Sequence, residues 1–465
     1  MSGAAAIVEA LDATGAIGFV HVSGDDPARR YLTRTDRPQR ETAVVVVRLD
    51  GDFEAIYCLP ESAWQAANTF LAARRDTATY RRAVTFRAAG TTVASQLVSV
   101  LSDRLGADSG GSLLAPRRIP HDTALELTDA SYTLSSTTAL DEARARKSPA
   151  ERDRMAAVQR AVAVALDHGV TLLDGSEVVD GMLTDGDTAL SGRRVETEIR
   201  VALARSGVDP ARVGVRARPA FDAALDDRSD ALPAGTPIEI HVSGRGPHGY
   251  YGRLSRTLVV DSDGGWDRRA FVACEAGLRA GLRHCRRESS VHTVRAEALA
   301  EIAAYGFSPA ESASSPELAD SLESSSPSDS STDSPDGAMD STRERRSNPF
   351  GRSPGSSARV FGIGLAAHEA PSVDDSGVLA AGSTVALETS VFDPTHGRIR
   401  LGTVGVVAET TETRDPDETD IELVSYPYAL TPEATRGAII DAERTEAEGT
   451  EAEGTDANSG EFGDY

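Results

Sequence analysis

Residues 361–371 read FGIGLAAHEAP, and this stretch decides how the rest of the chain is interpreted. It contains a short glycine-rich turn, followed by His368, Glu369 and a proline. A His-Glu pair beside such a turn is typical of a hydrolytic or metal-binding site. The stretch nevertheless begins with Phe361, whose ring can neither hold a metal nor move a proton. The first question is therefore whether this segment is a working active site.

Strands are predicted on both sides of this stretch. TPIEIHVSG (236–244) and YYGRLSRTLVVD (250–261) are rich in strand-forming residues and are joined by a short Gly/Pro turn, and runs at 383–391 and 397–408 form a second group. Apolar residues at helical spacing predict helices over 192–205, 266–286 and 293–305. Antiparallel strands with long helices between them predict an α+β domain with helices on one face of a curved sheet.

The first part of the chain predicts a separate sheet. AVVVVRLDG (43–51) is an unbroken β-branched run that ends in Asp-Gly, and FEAIYCLP (53–60) follows at hairpin distance. Helical spacing occurs over 61–75 and 91–105. Mixed helices and strands of this kind predict an α/β or α+β domain with a central sheet.

A strong helix start marks the passage between these two parts. In KSPAERDRM (147–155), Ser148 is the expected N-cap, Pro149 the first helical residue and Glu151 the third residue after the cap. We predict a domain boundary just before this helix, with one domain over 1–143 and a second over 144–440. Two further segments have the composition of disordered chain: a Ser/Asp/Pro-rich insert at 308–357 and an acidic tail at 441–465.

Composition narrows the possible partners. The 465 residues include 72 acidic and 48 basic side chains, for a formal net charge of −24. Such a charge disfavours nonspecific attraction to phosphate backbones, so no nucleic-acid partner is expected. Lys147 is the only lysine. An acidic chain that uses arginine almost exclusively is typical of a salt-adapted (halophilic) proteome, although a GC-rich genome would also favour arginine.

The cysteine content and the lack of targeting patterns in the sequence favour a cytoplasmic protein. Cys58, Cys274 and Cys285 are too few and too scattered for a disulfide framework or a zinc knuckle, so buried reduced thiols are expected. The sequence shows no secretory signal pattern and no apolar run long enough to span a bilayer. We therefore expect a soluble protein without a membrane partner.

Taken together, these segments resemble the M24 metallopeptidase family, in particular its Xaa-Pro dipeptidase, aminopeptidase P and creatinase branch. GYYGRLSRT (249–257) is similar to the family segment GYxSDITRT, FGIGLAAHEAP to HGIGLxxHExP, and ALETSVF (386–392) to TIEPGIY. RARKSPAERDRM (144–155) resembles the family's entry to its catalytic domain. The resemblance implies a creatinase-type α/β N-terminal domain followed by a pita-bread α+β domain with a curved antiparallel sheet.

Active members of this family bind two divalent metals, such as Mn or Co, through five side chains. Carried over by the resemblance, these ligand positions fall at His241, Arg253, Phe361, Glu388 and Gly402. Only Glu388 keeps the family's ligand, and the permanent charge of Arg253 would repel both metals. The resemblance thus implies that this chain uses no metal cofactor. An Arg253–Glu388 ion pair is expected, because an unpaired buried carboxylate is costly.

His368 corresponds to a second family histidine, which contacts the scissile carbonyl or the intermediate. It is therefore the candidate catalytic residue, and the alternative is a buried histidine that bonds only to backbone.

Three functions remain open. The first is a non-catalytic Xaa-Pro peptidase homologue whose cleft binds a peptide or a small molecule. The family often forms dimers, so the resemblance is compatible with a homodimer. The second is an active hydrolase, either an Xaa-Pro peptidase or a metal-free creatinase-like enzyme that uses His241 and His368 as acid and base. The third is an interaction protein that uses the 308–357 insert as its contact segment.

Overall fold

The computed structural model describes residues 3–24, 26–34, 41–72, 80–106, 110–217, 231–310, 355–372, 377–407 and 422–441. Within these ranges the chain forms two six-stranded sheets, one three-stranded sheet and the helices that cover them. The fold is α+β, as the sequence predicts.

The first six-stranded sheet, the N-terminal sheet, is mixed. Its strands are β1 (Gly18–Ser23), β2 (Thr42–Leu49), β3 (Asp52–Pro60), β4 (Tyr80–Arg87), β5 (Gly111–Ala115) and β6 (Tyr132–Ser136), in the order β4-β3-β2-β1-β5-β6. The predicted hairpin is the antiparallel β2–β3 pair. Val44 and Val46 pack into one buried cluster and Val45 and Val47 into another. Both faces of β2 are therefore covered, which explains its unbroken valine run.

Helices cover the N-terminal sheet on both sides. They are α1 (Gly3–Thr14), α2 (Pro27–Thr33), α3 (Trp64–Ala72), α4 (Val93–Leu105), α5 (His121–Asp129) and α6 (Ala139–Ala145), and a 3₁₀ turn at Glu61–Ala63 precedes α3. The helix predicted over 61–75 thus begins as a 3₁₀ turn, and its last three residues lie outside the described ranges. The predicted domain boundary at 143/144 falls inside α6 and stays a prediction.

The predicted helix start at Ser148 is confirmed. Helix α7 (Pro149–Asp174) has Pro149 at its first position and a complete capping box. The Ser148 amide donates to Glu151 Oε2 at 2.9 Å, and the Glu151 amide donates to Ser148 Oγ at 3.4 Å. These reciprocal bonds pair amides of the first helical turn with side chains, which fixes where this long helix begins.

The second six-stranded sheet, the C-terminal sheet, is antiparallel throughout. Its strands are β10 (Asp209–Ala217), β11 (Ile238–Arg245), β12 (Tyr251–Leu258), β13 (Gly355–Gly362), β14 (Thr384–Asp393) and β15 (Gly397–Val406), in the order β10-β11-β12-β15-β14-β13. The helices of this half include, besides α7, α8 (Gly192–Arg205), α9 (Trp266–His284) and α10 (Val291–Ala304). A small sheet contains β7 (Glu177–Val179), β8 (Met182–Asp185) and β9 (Thr188–Ala189).

The two faces of the C-terminal sheet differ in chemistry. Helix α7 lies against β11 and β12, and α9 against β14 and β15, over buried leucines such as Leu254 and Leu387. Because successive side chains of a strand point to opposite faces, Arg253 and Glu388 lie on the other face. We call this the open face. At one edge it meets the N-terminal half, since Phe361 belongs to the same buried cluster as Tyr31.

In the C-terminal half, three described strand regions were not predicted from the sequence. Strand β10 alternates arginines with small residues and has an irregular register next to Pro210, so it lacks an apolar run. Strand β13 begins inside the segment predicted to be disordered. The strands of the small sheet are only two to four residues long, too short to show a period.

The edges of both predicted disordered segments need correction. At the ends of the insert, the Ser356 amide donates to the Ser308 carbonyl at 2.8 Å and the Ala310 amide to the Ser356 carbonyl at 2.9 Å. These backbone bonds pair residues 308–310 with β13, so residues 308–310 and 355–357 are ordered. Asp441, predicted as the first residue of the tail, ends a helix over 432–441. The rest of both segments lies outside the described residues.

The cysteines are free and buried, as expected. No helix among the described residues is long and apolar enough to cross a membrane.

Candidate functional site

One row of paired residues crosses the open face from edge to edge. It runs through all six strands, in the order Arg359, Glu388, Gly402, Ser255, His241 and Gly214. Three of the five positions that the resemblance assigns to metal ligands, Glu388, Gly402 and His241, lie in this row. A fourth, Arg253, lies two residues before Ser255 on β12 and so shares its face. Strand pairing therefore brings residues from distant parts of the sequence into one cluster.

The expected ion pair between Arg253 and Glu388 is present. Arg253 donates to Glu388 Oε1 from Nε at 2.9 Å and from one terminal nitrogen at 2.6 Å. Both side chains are buried, with 8% and 4% of their surface exposed. Burial by itself raises the pKa of the Glu388 carboxyl, but the charges of Arg253 and Arg400 outweigh it and hold that pKa below its ordinary value. Glu388 is thus an ionised carboxylate neutralised by a guanidinium.

Ser255 joins this pair to His241. Its hydroxyl lies 3.3 Å from Glu388 Oε1 and 2.9 Å from His241 Nδ1. Burial and the charge of Arg253 lower the pKa of His241 to about 3, against a smaller opposing effect of Glu388. His241 is therefore a neutral imidazole at pH 7, fixed by one hydrogen bond.

Gly402 leaves the space that the Glu388 side chain occupies. A Cβ added at Gly402 would lie 2.9 Å from Glu388 Cγ and 3.2 Å from Ser255 Cβ. Real Cβ contacts this short essentially do not occur, so any other residue here would push the carboxylate away from Arg253. The absence of a side chain at Gly402 therefore leaves room for the Glu388 conformation that pairs with Arg253.

Phe361 and His368 form a stacked pair beside the ion pair. Their ring centroids are 4.2 Å apart with planes 23° from parallel. The Arg253 guanidinium carbon lies 5.0 Å from the centroid of the Phe361 ring, within cation–π range. Phe361 is buried whereas His368 is exposed, so the alternative of a buried, backbone-bonded His368 is wrong. Burial on one side, together with the charges of Arg253 and Arg359, lowers the pKa of His368.

Glu369 anchors the segment that carries His368. One of its oxygens accepts from Lys147 Nζ at 2.6 Å and the other from Arg144 at 2.6 Å. All three side chains are buried, at 3%, 8% and 5% exposure for Lys147, Arg144 and Glu369. The only lysine of the chain thus holds the 361–371 segment to the junction between α6 and α7.

A cavity of about 830 Å³ lies beside His368, between the two halves of the chain. Its wall includes Arg117 and Glu142 from the N-terminal half and Val378 from the C-terminal half. His368 and Pro371 belong to the same wall. The volume is that of a pocket for a small molecule or a short peptide.

The residues present do not fit a dinuclear metal centre. Such a centre needs several carboxylate or imidazole ligands around two cations. Among the described residues, no three His, Cys, Asp or Glu side chains are grouped to hold even one ion. Glu388 already neutralises Arg253, His241 is bonded to Ser255, and Gly402 offers no ligand atom. The Arg253 guanidinium stands at a position that the resemblance assigns to a metal-binding carboxylate, and its permanent charge would repel a cation there.

Comparison with known proteins identifies the family. Residues 153–410, more than half of the chain, match the family described as metallopeptidase family M24. The chain belongs to metallopeptidase family M24. No curated protein matches it when sequences alone are compared.

Solved structures share the fold over nearly the whole chain. A dipeptidase from Pyrococcus horikoshii OT3 has a TM-score of 0.64 at 16% identity, with 92% of this chain and 99% of that chain covered. Dipeptidase PepE from Mycobacterium ulcerans has a TM-score of 0.60 at 20% identity, with 92% and 96% covered. The N-terminal domain of the FACT complex subunit SPT16 from chickpea (Cicer arietinum) has a TM-score of 0.63 at 11% identity, with 92% and 96% covered. The pita-bread fold with an N-terminal domain, predicted from the sequence, is confirmed.

The structure adds residues that the sequence analysis missed. Ser255 and Arg359 join the cluster, and each lies two positions from a predicted site residue on the same strand. The two-residue period of a strand would have identified both. Arg212 lies on β10, which was not predicted, so nothing in the sequence pattern pointed to its face.

Proposed function

We propose that this chain is a non-catalytic member of the M24 family whose cleft binds a peptide or a small molecule. The observation that carries the proposal is the buried Arg253–Glu388 pair. It places a permanent cation among the positions that correspond to the family's metal ligands. Catalysis by two metals requires ions at that place to activate water and to stabilise the developing negative charge.

The same fold occurs in proteins that are named for different roles. Two of the similar structures are dipeptidases, and one is a domain of a subunit of a complex. At these identities the likeness concerns the fold alone, and a fold does not determine function. What supports binding in this chain is its own cavity, where exposed His368 lies beside charged groups such as Arg117 and Glu142.

Metal content and hydrolysis of Xaa-Pro dipeptides test the proposal together. The purified chain, incubated with Mn²⁺ or Co²⁺ and desalted, should retain no stoichiometric metal and should not hydrolyse the dipeptides. A dipeptidase of the same fold provides the positive control in both assays. Two metal ions per chain, with turnover that is lost in Glu388→Gln, would overturn the proposal. Turnover that neither Glu388→Gln nor His368→Ala changes would come from a contaminating peptidase.

A metal-free hydrolase of the creatinase type is the second candidate, and the exposure of His368 favours it. An imidazole with a lowered pKa is largely neutral at pH 7 and can accept a proton from water or substrate. His241, with a pKa of about 3, carries no proton to donate as an imidazolium at that pH. The acid–base pair first envisaged is thus reduced to a single base. Turnover of creatine-like substrates that His368→Ala abolishes would favour this candidate over ours.

A further inference from the structure

The open face is cationic although the whole chain has a net charge of −24. Three adjacent rows of its described strands carry five arginines and two glutamates, namely Arg212, Arg216, Arg253, Arg359, Arg400, Glu239 and Glu388. Arg400 pairs with Glu239 at 2.9 Å, and Arg253 with Glu388 at 2.6 Å. Within the part of the chain that the structure describes, no carboxylate pairs with Arg212 or Arg216, and Arg359 makes only a long ion pair, at 3.9 Å, with the Glu388 carboxylate that Arg253 already neutralises. A patch of this sign attracts anions.

Arg359 is the cation of this patch that is best placed for a ligand. Its side chain is 56% exposed, and its nearest carboxylate oxygen is Glu388 Oε2 at 3.9 Å, too far for a hydrogen bond. The same oxygen is buried and has no hydrogen-bond donor among the described residues. Glu388 is instead committed to Arg253 through its other oxygen. The donors of the Arg359 guanidinium therefore remain available.

The rings beside Arg359 connect the arginines with the cavity. Its guanidinium carbon lies 5.6 Å from the centroid of the Phe361 ring, on which His368 stacks. Arg212 lies on the opposite edge strand, β10, in the row of paired residues that contains Arg253, so both share the open face. The Arg253 guanidinium lies beside the same Phe361 ring. Burial, together with the charges of these arginines, lowers the pKa of His368. His368 in turn faces the cavity of about 830 Å³.

We infer that this site binds a small phosphate-bearing molecule, whose phosphate group is held by Arg359, Arg212 and His368. Arg359 and Arg212 supply charge-assisted hydrogen bonds, and the His368 ring supplies an N–H donor. The rest of the molecule occupies the cavity between the two halves of the chain. This inference rests on the proposed function, because in a metal-loaded site the metals would compete with the arginines for the anion.

A phosphate suits this arrangement better than a carboxylate does. The three donors come from three elements, namely β10, β13 and the segment after β13. A phosphate monoester presents three terminal oxygens and up to two negative charges, so it can bond to all three donors at once. A single carboxylate has two oxygens in one plane and is matched by one guanidinium fork.

Binding of inorganic phosphate to the full-length chain tests the inference. Titration calorimetry is performed in EDTA at constant ionic strength, with acetate as the carboxylate control. The chain should bind phosphate and bind acetate at least about tenfold more weakly. Arg359→Gln should weaken phosphate binding by about tenfold or more, as expected when charge-assisted hydrogen bonds are lost. Arg212→Gln should weaken it in the same direction.

The matched control is Arg81→Gln, on strand β4 of the N-terminal sheet. Arg81 is 78% exposed and lies 3.7 Å from Asp52, so its variant removes one surface charge without touching the open face. Its phosphate affinity should stay within about twofold of the parent, as expected for a screened distant charge. If Arg81→Gln and Arg359→Gln weakened phosphate binding equally, the loss would come from net charge alone, and the inference would be overturned. Acetate binding as tightly as phosphate would overturn the assignment of the ligand.

Two outcomes separate this inference from the proposed function. No phosphate binding by a chain that also retains no metal would overturn the inference and leave the proposed function intact. Phosphate binding that requires added Mn²⁺ and disappears in EDTA would show that a metal holds the anion. That result would overturn both.

Discussion

Replacing Arg253 with alanine should lower the free energy of unfolding by about 3–5 kcal/mol, the usual cost of removing one partner of a buried ion pair. Glu388 Oε1 accepts two hydrogen bonds from Arg253 and one longer bond, at 3.3 Å, from Ser255. After the substitution only the Ser255 hydroxyl would remain in contact, and Arg359 would stay at 3.9 Å from the other oxygen. A nearly desolvated carboxylate would thus lose its counter-charge.

Urea unfolding at pH 7, followed by circular dichroism, measures this loss. Arg253→Met combined with Glu388→Leu should recover most of it, because the unpaired charge is then absent. Arg81→Ala serves as the surface control and should change stability by less than about 0.5 kcal/mol. If Arg253→Ala changed stability as little as this control, the assignment of Arg253 as the counter-charge of Glu388 would be wrong.

The effect should also depend on pH. The pKa of Glu388 is lowered in the folded protein, so the stabilisation is present above the pKa of the unfolded carboxyl, 4.5, and is lost as the pH falls through the folded value. The stability difference between the parent chain and Arg253→Ala should therefore narrow below about pH 4. A difference that stays constant down to pH 3 would indicate a loss of packing rather than of charge pairing.

Three further substitutions test neighbouring parts of the cluster. Gly402→Ala should cost about 1–3 kcal/mol in urea unfolding, because its Cβ would meet Glu388 Cγ at 2.9 Å, and an unchanged midpoint would contradict this. His241→Asn should remove a pH dependence of the free energy of unfolding. The pKa of His241 is about 3 in the folded chain and 6.5 in the unfolded chain, so the parent loses up to about 1.4 kcal/mol of stability per pH unit as the pH falls between these values. The variant should not show this loss in urea unfolding. Glu369→Gln should lower the free energy of unfolding by about 3 kcal/mol, because the buried Lys147 charge would lose its carboxylate. It should also speed hydrogen exchange of the backbone amides in 361–371. Unchanged exchange in this segment would argue against its anchoring by Glu369.

The fold was predictable where local signals and the tertiary structure agree. The valine run of β2, the capping box of α7 and helix α8 are set by patterns that neighbouring residues alone define. Strand β13 was missed because its first residues, GSSAR, are small and polar, and the edge position that makes them a strand depends on pairing with β14. That pairing joins residues far apart in the sequence, so no local pattern contains it.

Most residues of the site and one of its ion pairs were predictable from the sequence, whereas its other contacts were not. The resemblance to a family gave His241, Arg253, Phe361, Glu388, Gly402 and His368, and the expected pairing of Arg253 with Glu388 followed from charge alone. The stacking of His368 on Phe361, the joining position of Ser255 and the anchoring of Glu369 by Lys147 depend on the curvature and register of the sheet. Whether the cluster is non-catalytic stays a proposal for the metal and hydrolysis assays.

The contact at Gly402 also has an evolutionary consequence. Under the proposed assignment, restoring a metal ligand there would place a Cβ only 2.9 Å from Glu388 Cγ. Changing Arg253 first would leave Glu388, the ligand that this chain keeps, buried without its nearest counter-charge. Reversion at Gly402 or at Arg253 alone therefore passes through a destabilised intermediate. Gly402, Arg253 and Glu388 together thus oppose stepwise reversion. We expect descendants of this chain to change what the cleft binds rather than to regain metal-dependent catalysis.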